Sequence, residues 1–169
     1  GAADKKWDDV WCLVTDSING VRQDTIWRMT LKELTEKTSE PMALYIVMDY
    51  SGSIGDERAD KIQDAVRALV ENNREKDAYG LIRFDDRVVH DCRYTVDKSR
   101  LLQKLKMKGM GSYGYGTAIN DAVLEAINNM RRINEFRRKA IVVFSDGEDN
   151  ASVKNQDTVI YEARLHRIP

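Results

Sequence analysis

The stretch that decides the fold is ALYIVMDYSGSI, residues 43–54. Its first half, Ala43 to Met48, is continuously apolar instead of alternating, which is the pattern of a strand covered on both faces. The second half turns polar at once. Asp49, Ser51 and Ser53 place one carboxylate and two hydroxyls at alternate positions, and a period of two puts all three on a common side while the chain stays extended. Gly52 lets the backbone turn with no side chain in the way. Read in isolation, DYSGS is also what a helix-capping turn looks like, since Asp and Ser satisfy the free amides ahead of a helix.

Outward from this stretch the pattern is regular. Asp56 to Asn73 carries Ala59, Ile62, Ala65, Val66, Leu69 and Val70 at helical spacing, with acidic residues in its first turn. DAYGLIRF, residues 77–84, predicts a second strand, and Val88 to Tyr94 a third, joined by a hairpin at Asp85-Asp86. Ser99 is expected to cap a short helix through Lys106. The glycine-rich GMGSYGYGT, residues 109–117, opens onto a helix from Ala118 to about Asn134, with Ile119, Ala122, Val123, Ala126, Ile127 and Met130 on its inner face. KAIVVFS, residues 139–145, is a second buried strand, and it too ends in an aspartate, Asp146. A last helix is expected from Asp157 or Thr158 to about His166.

Strands alternating with helices of this length imply βαβ units: an open α/β fold with a mostly parallel sheet and helices on both faces. Ligands of such folds sit outside the carboxyl ends of the strands, where the strand order reverses. Residues 1–40 read as an N-terminal extension. VWCLVT, Val10 to Thr15, predicts a short strand, and TDSINGV a turn with Asn19 and Gly20 at its tip. TIWRMTLKEL is ambiguous between strand and helix and is read as extended. Glu40-Pro41 then punctuates the chain, and the main domain occupies residues 41–169.

Composition narrows the function classes. A chain of 169 residues with 42% hydrophobic and 33% charged residues is an ordinary globular composition. Its 27 basic and 28 acidic residues leave a net charge of -1, so no overall field draws it to nucleic acid or an anionic membrane. Arg131, Arg132, Arg137, Arg138 and Lys139 cluster without an aromatic series and read as solvated cations near a helix end. No apolar run is long enough for a membrane helix. Cys12 and Cys92 show no zinc spacing and read as buried thiols, a single long-range disulfide remaining open. His90 and His166 lie away from the predicted strand ends and read as surface or satisfied core residues.

Asp49, Ser51 and Ser53, together with Thr117 from the glycine loop and Asp146 from the other strand end, make five oxygen donors with no nitrogen or sulfur. Such a set suits Mg2+ or Mn2+, and admits Ca2+, with water completing the shell. Two carboxylates balance a divalent charge, while three hydroxyls add coordination without adding charge. A metal held in this way stays electrophilic toward an incoming carboxylate or phosphate oxygen. Taken singly, Thr117 reads as a helix N-cap and Asp146 as an Asx turn into Gly147.

Asp49-x-Ser51-x-Ser53 after a buried strand, Gly116-Thr117 opening a helix, and FSDGEDN with Asp146 together resemble the metal-ion-dependent adhesion site of von Willebrand factor type A domains. The resemblance covers about residues 41–169. It implies a Rossmann-like sheet with Mg2+ at its top, Ser51, Ser53 and Thr117 near the metal, and Asp49 and Asp146 acting partly through water. It also implies a non-enzymatic protein-binding domain, used in adhesion, secretion or complex assembly, whose partner supplies an Asp or Glu as the last ligand. The family continues beyond residue 166 with further strands and a closing helix, so a C-terminal truncation and an exposed sheet edge are expected.

Two enzyme readings compete. A haloacid-dehalogenase-type phosphatase also ends its first parallel strand in a nucleophilic aspartate, and Thr117 and Lys139 fall in a tolerable order for it. That chemistry needs a carboxylate two positions after the nucleophile, and here the position is Ser51, whose hydroxyl is no general acid or base at neutral pH. GMGSYG, residues 109–114, matches the dinucleotide GxGxxG pattern but follows a helix and lacks the acidic partner downstream. A loop that brings Thr117 to the metal, with Tyr113 and Tyr115 at its rim, accounts for it better.

Overall fold

The computed structural model describes residues 10–18, 21–29, 40–72, 75–105 and 114–169, with side chains from residue 40 onward. It divides into two compact units, the first within residues 1–39 and the second Glu40–Pro169. In the first, β1 (Val10–Ile18) and β2 (Val21–Met29) form an antiparallel ladder running from Ile18 paired with Val21 to Val10 paired with Met29. The extended reading of residues 25–29 holds. Asp16 to Ile18, expected in a turn, instead continue the strand, because each finds a partner in Val21 to Gln23. The expected turn tip, Asn19 and Gly20, lies outside the described residues, as does the side chain of Cys12.

The second unit runs β3 (Met42–Asp49), α1 (Gly55–Asn72), β4 (Ala78–Phe84), β5 (Val88–Thr95), α2 (Lys98–Leu105), α3 (Ile119–Met130), β6 (Arg138–Phe144) and α4 (Gln156–Leu165). Its four-stranded sheet has the order β5-β4-β3-β6. β3 is parallel to both β4 and β6, and only β5 is antiparallel, returning from β4 through the expected hairpin at Asp85 and Asp86. This is the mixed, mostly parallel α/β sheet that the sequence predicts.

The continuous apolar run of β3 is explained by its central place. Ala43, Tyr45 and Val47 face a core completed by Ala122, Ala126, Ile127 and Met130 of α3, while Leu44, Ile46 and Met48 face a second core built with Val66 and Val70 of α1 and Leu101 of α2. Alternate side chains thus enter different cores, and both must be apolar. Cys92 is buried and free in the second core.

Helix ends differ from expectation in three places. α2 is capped by Asp97, whose Oδ1 accepts the Arg100 amide at 3.2 Å, so Ser99 lies inside the helix and is not its cap. α3 stops at Met130 and not near Asn134: the chain turns at Arg131 so that Ile133 and Phe136 can enter the core ahead of β6. α4 is capped by Asn155, which accepts the Thr158 amide at 2.9 Å. At the sheet's outer side, β6 exposes Val143, and the Ile141 amide donates to the Pro169 carbonyl at 3.0 Å, so this edge is partly covered from within the chain.

One residue of β4 is tightly constrained. Gly80 is paired with Tyr45, and a methyl group on it would collide with the Tyr45 ring, whose hydroxyl is tied to the Arg93 carbonyl. The ring cannot retreat without losing that bond. Gly80→Ala is therefore expected to cost roughly 1–3 kcal/mol by overpacking, read as a lower denaturant midpoint with an unchanged slope. A midpoint equal to the wild type's would contradict this account of the β3–β4 interface.

Candidate functional site

β3 and β6 are neighbours whose outgoing connections diverge, since β3 leads through α1 to β4 on one side and β6 leads on to α4. Their carboxyl ends therefore flank a crevice, the usual ligand position in an open α/β sheet. Asp49 is the last residue of β3 and is 0% exposed. A buried carboxylate must find hydrogen bonds. Its Oδ1 accepts the Ser51 amide at 2.7 Å, and its Oδ2 accepts from Ser145 Oγ at 2.5 Å. The first bond bends the chain just past β3; the second ties that bend to the exit of β6.

The bend sets out the hydroxyls in a row. Ser51, 2% exposed, places Oγ 3.1 Å from Ser53 Oγ, and Ser53 Oγ donates to Asp146 Oδ1 at 3.0 Å. Asp146 is two residues past the end of β6 and not at the strand end itself, because Ser145 intervenes to serve Asp49. The oxygens of Asp146 accept from Ser53 Oγ and from Arg58, while the Gly147 amide donates to Ser145 Oγ at 3.3 Å. Tyr50 points away from this row into the α1-side core, where its hydroxyl accepts from Gln63 and Arg83 lies over its ring at 5.3 Å.

Thr117 is brought in from the other side. Ser51 and Gly114 form a parallel bridge, the Gly52 amide donates to the Gly114 carbonyl at 3.0 Å, and the Ala118 amide donates to the Asp85 carbonyl at 2.8 Å. Gly114 is required there, since a Cβ would lie 2.6 Å from Asp85 Cγ. Thr117 itself is clasped by Asn150, which accepts the Thr117 amide at 2.8 Å and returns its own amide to the Thr117 carbonyl at 3.0 Å. The helix cap is Ala118, with no side-chain cap bond, so the Thr117 hydroxyl is not spent on α3. A methyl group on Gly147 would lie 3.7 Å from Thr117 Oγ1 and 4.0 Å from Ser53 Oγ, so both hydroxyls border the Gly147 backbone. Asp49, Ser51, Ser53, Thr117 and Asp146 are thus all gathered at the carboxyl end of the sheet.

Sequence reasoning missed several residues that shape this place. Arg58, in the first turn of α1, pairs with Asp146 Oδ2. Ser145, hidden in the strand motif, anchors Asp49. Asp85 is buried: burial raises its carboxyl pKa, but hydrogen bonds from the Arg87 side chain and backbone outweigh that and hold it below the ordinary carboxylate value. The second half of SDGEDNAS, residues 145–152, does the helix capping expected of Thr117. Asp149 Oδ2 accepts the Asn120 amide at 2.8 Å, and Ser152 Oγ accepts the Asp121 amide at 3.0 Å. Tyr115 is fully exposed beside this loop, while Tyr113 and the first part of the glycine-rich stretch lie outside the described residues. Among the described residues, no group of three or more His, Cys, Asp or Glu side chains gathers to hold a metal.

The family model for the von Willebrand factor type A domain matches residues 44–148, more than half of the sequence. The chain belongs to the von Willebrand factor type A family. The fold agrees: this VWA domain is similar to a crystal structure of the conserved hypothetical protein BatB from Bacteroides thetaiotaomicron, at 22% identity and a TM-score of 0.64, over 75% of this chain and 63% of that one. It is similar also to the vWF domain of the type V pili tip protein Mfa5 from Porphyromonas gingivalis, at 21% identity and a TM-score of 0.56, over 64% of this chain and 38% of that one. An uncharacterized protein of Synechocystis sp. is 26% identical over 114 residues, which are 64% of this chain and 26% of that protein. The VWA chain therefore spans about a quarter of that relative's length.

The loop that positions Thr117 carries a pH dependence. Burial raises the Asp149 carboxyl pKa, but the Asn120 and Ser152 hydrogen bonds outweigh it and hold the group below its ordinary value. A carboxyl lower in the folded state than in the unfolded one, at about 3.9, stabilises fully above that value and loses the contribution as pH falls through the folded pKa. The thermal midpoint should therefore be flat near neutrality and decline below about pH 4. Asp149→Asn should lower the midpoint at neutral pH and make the acid decline shallower. An identical acid profile in the variant would refute the cap.

Proposed function

We propose that this VWA domain is a divalent-cation-dependent protein-binding module, in which Ser51, Ser53 and Thr117 hold Mg2+ or Mn2+, Asp49 and Asp146 act partly through water, and a partner's Asp or Glu completes the shell. The observation that carries the reading is the hydroxyl row: Ser51 Oγ, Ser53 Oγ and Asp146 Oδ1 already run in contact, with the Thr117 hydroxyl across Gly147. Oxygen-only donors suit a hard divalent ion, and because three of the five are neutral hydroxyls the ion stays electrophilic toward an outside carboxylate. When bound, the ion would supply an electrophilic site for that carboxylate. This chain's part is to orient the hydroxyls, which the Asn150 clasp and the Gly52–Gly114 bond support.

Binding without catalysis is favoured by Asp49. Both of its oxygens are engaged and it is wholly buried, whereas a nucleophilic carboxylate needs an oxygen open to the substrate. The family is one often involved in adhesion or complex assembly, which agrees with a binding role. Among the described residues no helix is long and apolar enough to cross a membrane.

An ion that binds only the folded state stabilises it by mass action, by about 2.7 kcal/mol at a hundredfold excess over Kd. Mg2+ or Mn2+ should therefore raise the wild-type Tm by several degrees, and Ser51→Ala or Asp146→Ala should abolish the shift. A wild-type Tm indifferent to either ion would overturn the site. A pull-down with and without chelator should release bound proteins when metal is removed; a retained set identical in both would overturn metal-dependent capture.

A further inference from the structure

Arg58 stands in the first turn of α1, where the helix dipole favours anions and where its neighbours Asp56 and Glu57 conform. A cation there is held by something else, and that is Asp146. The Arg58 guanidinium bonds Asp146 Oδ2 and lies 3.5 Å from the Ser53 carbonyl oxygen. With Ser53 Oγ on Oδ1, both oxygens of Asp146 are occupied. The side chain of Arg58 is 62% exposed and that of Asp146 25%, so the pair sits at the mouth of the site and can open without unpacking a core.

A divalent ion drawing on Asp146 and Ser53 must share the carboxylate with this guanidinium or displace it. Like charges a few ångströms apart repel even near a protein surface. We propose that Arg58 is an internal cation that competes with the divalent ion for Asp146 and so sets the metal affinity of the site. The proposal rests on the metal-binding reading above. Its reach is local: Arg58 lowers affinity by holding one ligand, and no change of fold is involved. Released from Asp146, the guanidinium remains at the rim, where a forked cation pairs well with carboxylates.

The test is calorimetric titration of the wild-type chain, Arg58→Gln and Arg58→Lys with MgCl2 and with MnCl2. Arg58→Gln should bind either ion roughly two- to fivefold more tightly, the range that the loss of one exposed ion pair allows. Arg58→Lys, which keeps the charge but not the fork, should fall between the two. Metal-free melting of both variants should stay within roughly 2 °C of wild type, because an exposed pair adds little stability. Affinities that are equal across the three, or weaker in Arg58→Gln, overturn the competition and leave the metal reading standing. No binding by any of them overturns the metal reading, and the competition with it.

Discussion

A fully buried carboxylate stands at the end of the central strand, and the rest of the site follows from satisfying it. Asp49 takes the Ser51 amide on one oxygen and the Ser145 hydroxyl on the other. Leaving either oxygen unpaired in the interior would cost on the order of 1–3 kcal/mol. The first bond folds the chain so that Ser51 and Ser53 face the crevice. The second fixes where β6 ends, and thereby where Asp146 stands. One buried group thus sets the spacing between two segments almost a hundred residues apart.

The same economy governs Thr117. Its position depends on backbone bonds to three separate loops: the bridge at Gly114, the Asp85 carbonyl under Ala118, and the reciprocal pair with Asn150. Because α3 is capped from outside by Asp149 and Ser152, the Thr117 hydroxyl stays available at the crevice. SDGEDNAS is therefore two devices in sequence. Its first part contributes Asp146 to the oxygen row, and its second part secures the helix that carries Thr117.

Much of this was legible in the sequence. The continuous apolar run of Ala43 to Met48 suggests a strand covered on both faces, and the structure divides its side chains between two cores. The alternation of Asp49, Ser51 and Ser53 marked the place, but the hydroxyls line up because the Asp49–Ser51 bond bends the chain and not because the strand stays extended. What the sequence concealed was long-range pairing. Nothing local marks Ser145 as the partner of Asp49, or Arg58 as the partner of Asp146. The capping assigned to Ser99 failed because Asp97, two residues earlier, offers a carboxylate in better register. The first strand runs past Thr15 for a similar reason: cross-strand pairing holds Asp16 and Ser17 in β1 despite their turn preference.

The central claim is that these five side chains converge on one divalent ion. Paramagnetic broadening of backbone amide resonances by substoichiometric Mn2+ tests it most directly, since the effect falls steeply with distance from the ion. The amides of Ser51, Ser53, Thr117 and Gly147 should broaden first and together, while those around the exposed Glu71, at the far end of α1, keep their line widths. Broadening that begins at Glu71, or spreads evenly over acidic surface residues, would contradict the claim.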